Sequence, residues 1–251
     1  MISIYFFSGI FKLNGAFLHQ IWERMILNRF FEMPSHLNSN PMIHYLGLIL
    51  PILEIIIAFG LLLFKNKKPF LWFAILSHLF VLLFLGPLGL NYNLIVWPWN
   101  VLMIAMVFLL FYFPSDKIEM RKLFKYKFNF VAVTILSILP FLNFFERWDD
   151  HLSFELYSGK TKKMIICIEN PEVYPELEQF LNVKKSRINC NNDKNIDVLS
   201  WTFNELNVPI YPEEQTFITL KKQWIKKYPN LKSTFWFYQY PFKEDDIKEI
   251  K

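Results

Sequence analysis

Apolar residues fill residues 1–145 in long blocks broken by short polar stretches, whereas residues 146–251 mix short apolar runs with helical periodicities. Crossing a hydrocarbon core of about 30 Å takes roughly 20 helical residues. Blocks of about that length lie at 43–64, 69–86, 94–113 and 128–145. Residues 2–22 are also apolar but carry Lys12, Asn14 and His19, and they read as a further span beginning at the terminus. No cationic stretch precedes that run, so it does not read as a cleavable signal peptide. In residues 146–251 the run 164–168 reads as a buried strand. Asn170-Pro171 reads as a helix start, with Val173, Leu177, Phe180 and Leu181 on one face. Ile196, Leu199, Phe203 and Leu206 form a second helical face, and Phe217, Leu220, Trp224 and Tyr228 a third. Residues 234–240 are β-prone. The expected architecture is an all-α polytopic membrane bundle of about five transmembrane helices, followed by a small C-terminal α+β soluble domain.

Charge sharpens the boundary. Residues 1–145 hold 5 acids and 11 Lys/Arg, and residues 146–251 hold 17 acids and 16 Lys/Arg. Hydrophobic residues make up 53% of the chain and charged ones 20%, with a mean hydropathy of +0.23. This excludes a single water-soluble globule, a disordered chain and a nucleic-acid binder with a concentrated basic domain. The short-loop lysines and arginines set orientation. Lys65, Lys67 and Lys68 form one basic loop, and Lys117, Arg121, Lys122, Lys125 and Lys127 form another. Placing both in the cytoplasm puts loops 23–41 and 87–93, and residues 146–251, outside it, as expected for a bacterial inner-membrane protein with an extracytoplasmic domain. In that compartment Cys167 and Cys190 are free to form a disulfide. Cys167 also lies in the expected buried strand, so a core thiol stays open as an alternative. The acidic pairs Asp149-Asp150 and Glu213-Glu214 and the run Glu244-Asp245-Asp246 read as solvated turns.

An ionisable side chain within a span needs a partner, a water cavity or a function. Three stand out: Lys12 in the first span, Glu54 near the middle of the second and His78 near the middle of the third. Lys12 either snorkels to the interface or, desolvated, serves as a base. Glu54 calls for a partner on another helix. His78 stands alone with no second histidine at ligand spacing, and no metal-ligand set is picked out. The stretch Asn91-Tyr92-Asn93 to Trp97-Pro98-Trp99-Asn100 is polar and aromatic, which suits an interfacial anchor or the rim of a site for an amphipathic ligand.

Several short motifs follow one another along the chain: Phe6-Phe7-Ser8-Gly9-Ile10-Phe11-Lys12-Leu13-Asn14, Glu54 with Gly60-Leu61-Leu62-Leu63-Phe64, Ser77-His78, Trp97-Pro98-Trp99-Asn100 and Phe111-Tyr112-Phe113-Pro114. Their order resembles the horizontally transferred transmembrane (HTTM) family, related to the membrane part of vitamin K-dependent gamma-carboxylase. The resemblance spans roughly residues 4–116. It implies chemistry on a quinone-like or other lipid-soluble substrate, with Lys12 as the base. Glu54 or His78 would set its charge state, and Asn14, Trp97, Trp99 and Asn100 would contact the substrate. The family's large lumenal domain is replaced here by about 100 unrelated residues, so glutamate carboxylation is not expected. A second resemblance, to DoxX-like and MauE-like redox membrane proteins, rests on Gly9 to Leu13 and on Glu54 followed by Gly60-Leu61-Leu62. The alternative to an enzyme is a non-catalytic membrane anchor or assembly protein, or a DoxX-like redox partner, whose outer domain binds a protein.

Overall fold

The structure is a computed structural model that describes residues 1–34, 36–37, 40–113, 126–181, 188, 190, 194–239 and 247–250. Most of the second basic loop (Lys117, Arg121, Lys122 and Lys125), together with Pro114, Tyr240 and the run Glu244-Asp245-Asp246, lies outside the described residues. The chain divides into two compact units. The first comprises Met1–Asn91 and Ile95–Gly159, and the second comprises Tyr92–Leu94 and Lys160–Lys251.

The first unit is helical. It contains α1 (Ile2–Lys12), α2 (Gly15–Phe17) with its wider-wound continuation Leu18–Phe30, α3 (Pro41–Leu46), α4 (Ile49–Leu63), α5 (Lys68–Leu85), α6 (Val96–Phe111) and α7 (Lys127–Val133). Helix α7 continues through Thr134–Ile138 and a 3₁₀ stretch, Leu139–Phe145. Among the described residues, three helices are long and apolar enough to cross a membrane: Pro41–Leu63, Lys68–Leu85 and Lys127–Phe145. The other two expected spans contain shorter apolar helices, Ile2–Lys12 and Val96–Phe111. The stretch 2–22 is not one helix because Asn14 starts a new one, its side chain accepting from the backbone N–H of Phe17 at 2.9 Å. An Asn at such a position satisfies the free amides of the following turn and ends the preceding helix.

Helix α1 packs most extensively on α4. Gly9 permits this, since a Cβ there would lie 2.7 Å from the Pro51 carbonyl oxygen and 3.1 Å from the Glu54 Cβ. Such small residues let apolar helices approach closely. The opposite side of α1 is aromatic: Phe7 meets Phe141 edge-on at 4.9 Å and Phe11 lies 4.7 Å from Phe144. Outward-facing residues remain apolar. Ile49, Ile52, Ile56, Phe59 and Leu63 of α4 are all exposed, at the spacing of a single helical face. A continuous apolar face of this kind is unfavourable in water and favourable in lipid.

Residues 146–159 belong to the first unit despite their charge. Asn143 Nδ2 donates to Glu155 Oε2 at 2.7 Å, and Asn14 Nδ2 donates to the Ser158 carbonyl at 3.2 Å. Gly159, with φ of +82°, lies where a Cβ would be 2.4 Å from the Ala16 carbonyl oxygen, so only glycine fits.

The second unit is α+β. Strands β1 (Lys163–Ile168), β2 (Asn195–Asp197), β3 (Ser233–Tyr238) and β4 (Lys248–Glu249) form an antiparallel sheet in the order β2-β1-β3-β4. Helices α8 (Val198–Leu206) and α9 (Glu214–Lys227) complete it. Alternation on β1 sends Met164, Ile166 and Ile168 into the main core with Phe217 and Trp224, and sends Ile165 and Cys167 to the other face with Cys190. Cys167 and Cys190 are disulfide-bonded, with Cα atoms 5.4 Å apart. The expected helix after Asn170 is instead two 3₁₀ turns, Pro171–Val173 and Pro175–Phe180. Pro175 has no N–H for a continuous helix, and the Asn170 side chain makes no cap bond. Leu177 is buried as expected, but Val173 is exposed. Ile196 lies in β2 rather than in a helix.

Candidate functional site

Two clusters of ionisable side chains stand out among the described residues of the first unit. The larger begins on α1, where Tyr5, Ser8 and Lys12 share a face by their spacing. Lys12 Nζ donates to Glu54 Oε1 at 2.7 Å, to Glu54 Oε2 at 2.9 Å and to Ser8 Oγ at 2.7 Å. Both members of the pair are largely shielded, with side-chain exposures of 13% and 23%. An ammonium has three hydrogens and no acceptor, so these three contacts use all of them. Lys12 therefore does not snorkel freely; it is an interhelical partner of Glu54.

The second branch runs Tyr5, His78, Asn100. Asn100 Nδ2 donates to the Val96 carbonyl at 2.7 Å, which turns Oδ1 toward His78 Nδ1, also at 2.7 Å. A carbonyl oxygen only accepts, so His78 carries a hydrogen on Nδ1. In a neutral ring Nε2 is then the acceptor, and it receives the Tyr5 hydroxyl at 2.9 Å. Tyr5 and Asn100 are buried. The charges of Glu54 and Lys12 act at His78, and that of Glu54 acts at Tyr5, so the two branches share one electrostatic environment.

Of the residues singled out from sequence, Lys12, Glu54, His78 and Asn100 thus come together. Asn14 is used structurally: it caps α2, and its Nδ2 donates to the Phe11 carbonyl at 2.6 Å. Trp97 is half-buried in the first turn of α6, near Gly86, while Trp99 is 39% exposed. Sequence reasoning missed Tyr5 and Ser8, although their spacing from Lys12 marks a shared helical face.

The other group is His19, Glu23 and His44. His19 Nδ1 donates to Glu23 Oε2 at 2.8 Å, and His44 Nδ1 to Glu23 Oε1 at 2.5 Å. Glu23 is buried. Burial raises its pKa, but the hydrogen bonds and charges of the two histidines lower it by more, so the carboxyl titrates below its ordinary range. Nearby packing fixes the geometry. Trp22 Nε1 donates to the Ile43 carbonyl at 2.8 Å, and Gly47 leaves room for the Trp22 ring, which a Cβ would meet at 2.5 Å. The spacing of His19 and Glu23 is a visible signal, whereas His44 is 21 residues from Glu23 and carries none.

No family profile, curated protein or solved structure matches the chain.

Proposed function

We propose that this is a polytopic membrane protein of the HTTM type, acting on a quinol-like, lipid-soluble substrate with Lys12 as the proton acceptor. The observation that carries the reading is the Lys12–Glu54 pair between apolar helices, with Tyr5 and His78 within reach of its charge and Asn100 bonded to His78. As an ammonium with three acceptors Lys12 holds no lone pair. Passing one proton to Glu54 gives a neutral amine beside a neutral acid. The amine then takes a substrate hydroxyl proton, leaving an anion beside the restored ammonium. Five spans in a bacterial inner membrane, with residues 160–251 outside the cytoplasm, complete the reading. The basic loop Lys65, Lys67 and Lys68 supports that orientation. The Cys167–Cys190 bond suits an oxidising compartment. Tyr92–Leu94, from the uncharged loop, belong to the C-terminal unit: Tyr92 stacks on Phe203, and Leu94 N–H donates to the Asn207 carbonyl at 2.9 Å. That supports a shared compartment for loop and unit.

The test is titration of the detergent-solubilised full chain with a short-chain ubiquinol, reading tryptophan quenching for binding and quinolate absorbance for proton transfer. Lys12→Met is expected to abolish the quinolate signal while changing affinity by less than about threefold, since removing a proton acceptor acts on the chemical step. Wild-type quinolate formation in Lys12→Met, or no ubiquinol binding by the wild type, overturns the reading.

A second reading, a non-catalytic anchor for a protein partner outside the cytoplasm, is favoured by one observation: every hydrogen of the Lys12 ammonium is already satisfied internally. A structural pin of this kind is replaceable by an apolar pair without loss, whereas a base is not. Lys12→Met/Glu54→Met therefore separates the two, with a folded, fully active double variant supporting the anchor.

A further inference from the structure

We propose that His19, Glu23 and His44 form a binding site for one divalent first-row transition-metal ion, with Zn²⁺ the best fit, leaving an open coordination position. The three residues come from two segments, Leu18–Phe30 and Pro41–Leu46, and their ligand atoms all lie within 4.8 Å of one another. Each histidine turns Nδ1 toward a different oxygen of the same carboxylate, and the two rings lie 5.0 Å apart at 46°. In tetrahedral zinc sites, ligands about 2.0–2.2 Å from the ion stand roughly 3.4 Å apart. Reaching that arrangement means spreading the observed 2.8 and 2.5 Å contacts around one ion. The ring proton on each Nδ1 moves to Nε2 as the ion takes its place.

The donor set selects the ion class. Two imidazoles and one carboxylate suit Zn²⁺, Fe²⁺, Co²⁺ or Ni²⁺, whereas Ca²⁺ and Mg²⁺ require mostly oxygen ligands. Three protein ligands leave a fourth position for water or a small ligand, as in hydrolytic zinc centres. Access is built in, because the His19 side chain is 50% exposed while Glu23 and His44 are 11% and 18% exposed. Hydrogen bonds around the site hold its two segments: Asn40 Oδ1 caps the helix bearing His44 by accepting from Met42 N–H at 2.9 Å, and Trp22 ties Ile43 to the helix bearing Glu23.

The full chain, solubilised in detergent and stripped with a chelator, is titrated with Co²⁺, whose d–d absorption reports coordination number and ligand type. The expected result is one Co²⁺ per chain with a four- or five-coordinate spectrum, displaced by Zn²⁺. Changing outer-shell partners costs 10–100-fold in metal affinity, so losing a ligand in His44→Ala is expected to weaken Co²⁺ binding by about 100-fold or more. His19→Ala removes the half-exposed ligand with least risk to folding and is expected to weaken binding by at least about tenfold. Zn²⁺ should raise the thermal midpoint of the wild type and not that of either variant. No stoichiometric Co²⁺ binding by the folded wild type overturns the proposal, and so does an unchanged spectrum and affinity in His19→Ala. The wild-type result decides even if His44→Ala fails to fold.

Discussion

The two units both bury apolar cores but expose opposite kinds of surface. In the first, α4 turns Ile49, Ile52, Ile56, Phe59 and Leu63 outward, while Glu23, Asn100 and Asn143 are buried. In the second, Ile166, Ile168, Phe217 and Trp224 are buried, and the outer side of α9 carries Lys222, Gln223 and Lys226. The same chemical rule governs both, since each side chain goes where its surroundings match it. The exposed surfaces differ: that of the first unit suits lipid and that of the second suits water. Polar contacts are therefore the specific part of the first unit, where apolar packing competes with equally apolar lipid. Apolar burial and the covalent link do that work in the second.

The strongest way to break this contrast is to remove one partner of the buried pair. Glu54→Ala leaves the Lys12 ammonium without its counter-ion, and the loss for a broken buried pair is about 3–5 kcal/mol. Thermal unfolding in lipid nanodiscs should show a large fall in midpoint, most of it recovered in Lys12→Met/Glu54→Met. An equally unstable double variant would mean that the pair adds stability rather than satisfying a buried charge. In the second unit the corresponding test is Cys167→Ser/Cys190→Ser. The bond closes a loop between residues 23 apart in sequence, and cross-links of that size contribute about 3 kcal/mol. Near-ultraviolet circular dichroism should show the sheet unit melting earlier, with proteolysis restricted to residues 160–251. Equal loss of both units would show that they do not unfold independently.

How much of this was visible in the chain follows from the same contrast. Long apolar blocks located α4, α5 and the helix Lys127–Phe145, because these helices are apolar on their exposed as well as their buried sides. A short continuous apolar run located β1, which is buried on both faces, and helical spacing located α9, which buries one. The break at Asn14 was harder to see because capping rests on a single side chain. The boundary at residue 159 was missed because composition reports solvent preference, whereas the position of 146–159 depends on the Asn143–Glu155 and Asn14–Ser158 contacts. Lys12, Glu54 and His78 were legible as costly groups in apolar surroundings. Their pairing, and the link from Glu23 to His44, required the tertiary fold.

A smaller perturbation sharpens the role of close helix approach. Gly9→Ala places a methyl group 2.7 Å from the Pro51 carbonyl oxygen and 2.8 Å from Ile55 Cγ1, so α1 and α4 must separate. Overpacking of this kind costs about 1–3 kcal/mol. A cysteine pair engineered across α1 and α4 should crosslink more slowly in the variant than in the wild type. An unchanged rate would show that Gly9 is dispensable for the approach that joins Lys12 to Glu54.

The smallest expected effect concerns residues 146–159, which look water-soluble in composition yet pack in the first unit. Burial lowers the pKa of His151 from its ordinary 6.5, and the neighbouring charges of Asp149 and Asp150 only partly oppose this. The unfolded chain then binds a proton on His151 at a higher pH than the folded chain does. Between the two pKa values the unfolded state holds more protons, so stability rises with pH there. The stabilising contribution is complete above the unfolded value of about 6.5. It is lost progressively as pH falls through the folded value, and flattens below it. Thermal midpoints measured from about pH 8 to about pH 5 should fall less steeply for His151→Gln than for the wild type, since glutamine does not titrate there. Coincident slopes would mean that His151 is solvated like an exposed group, and that the charge pattern, rather than the packing, describes residues 146–159.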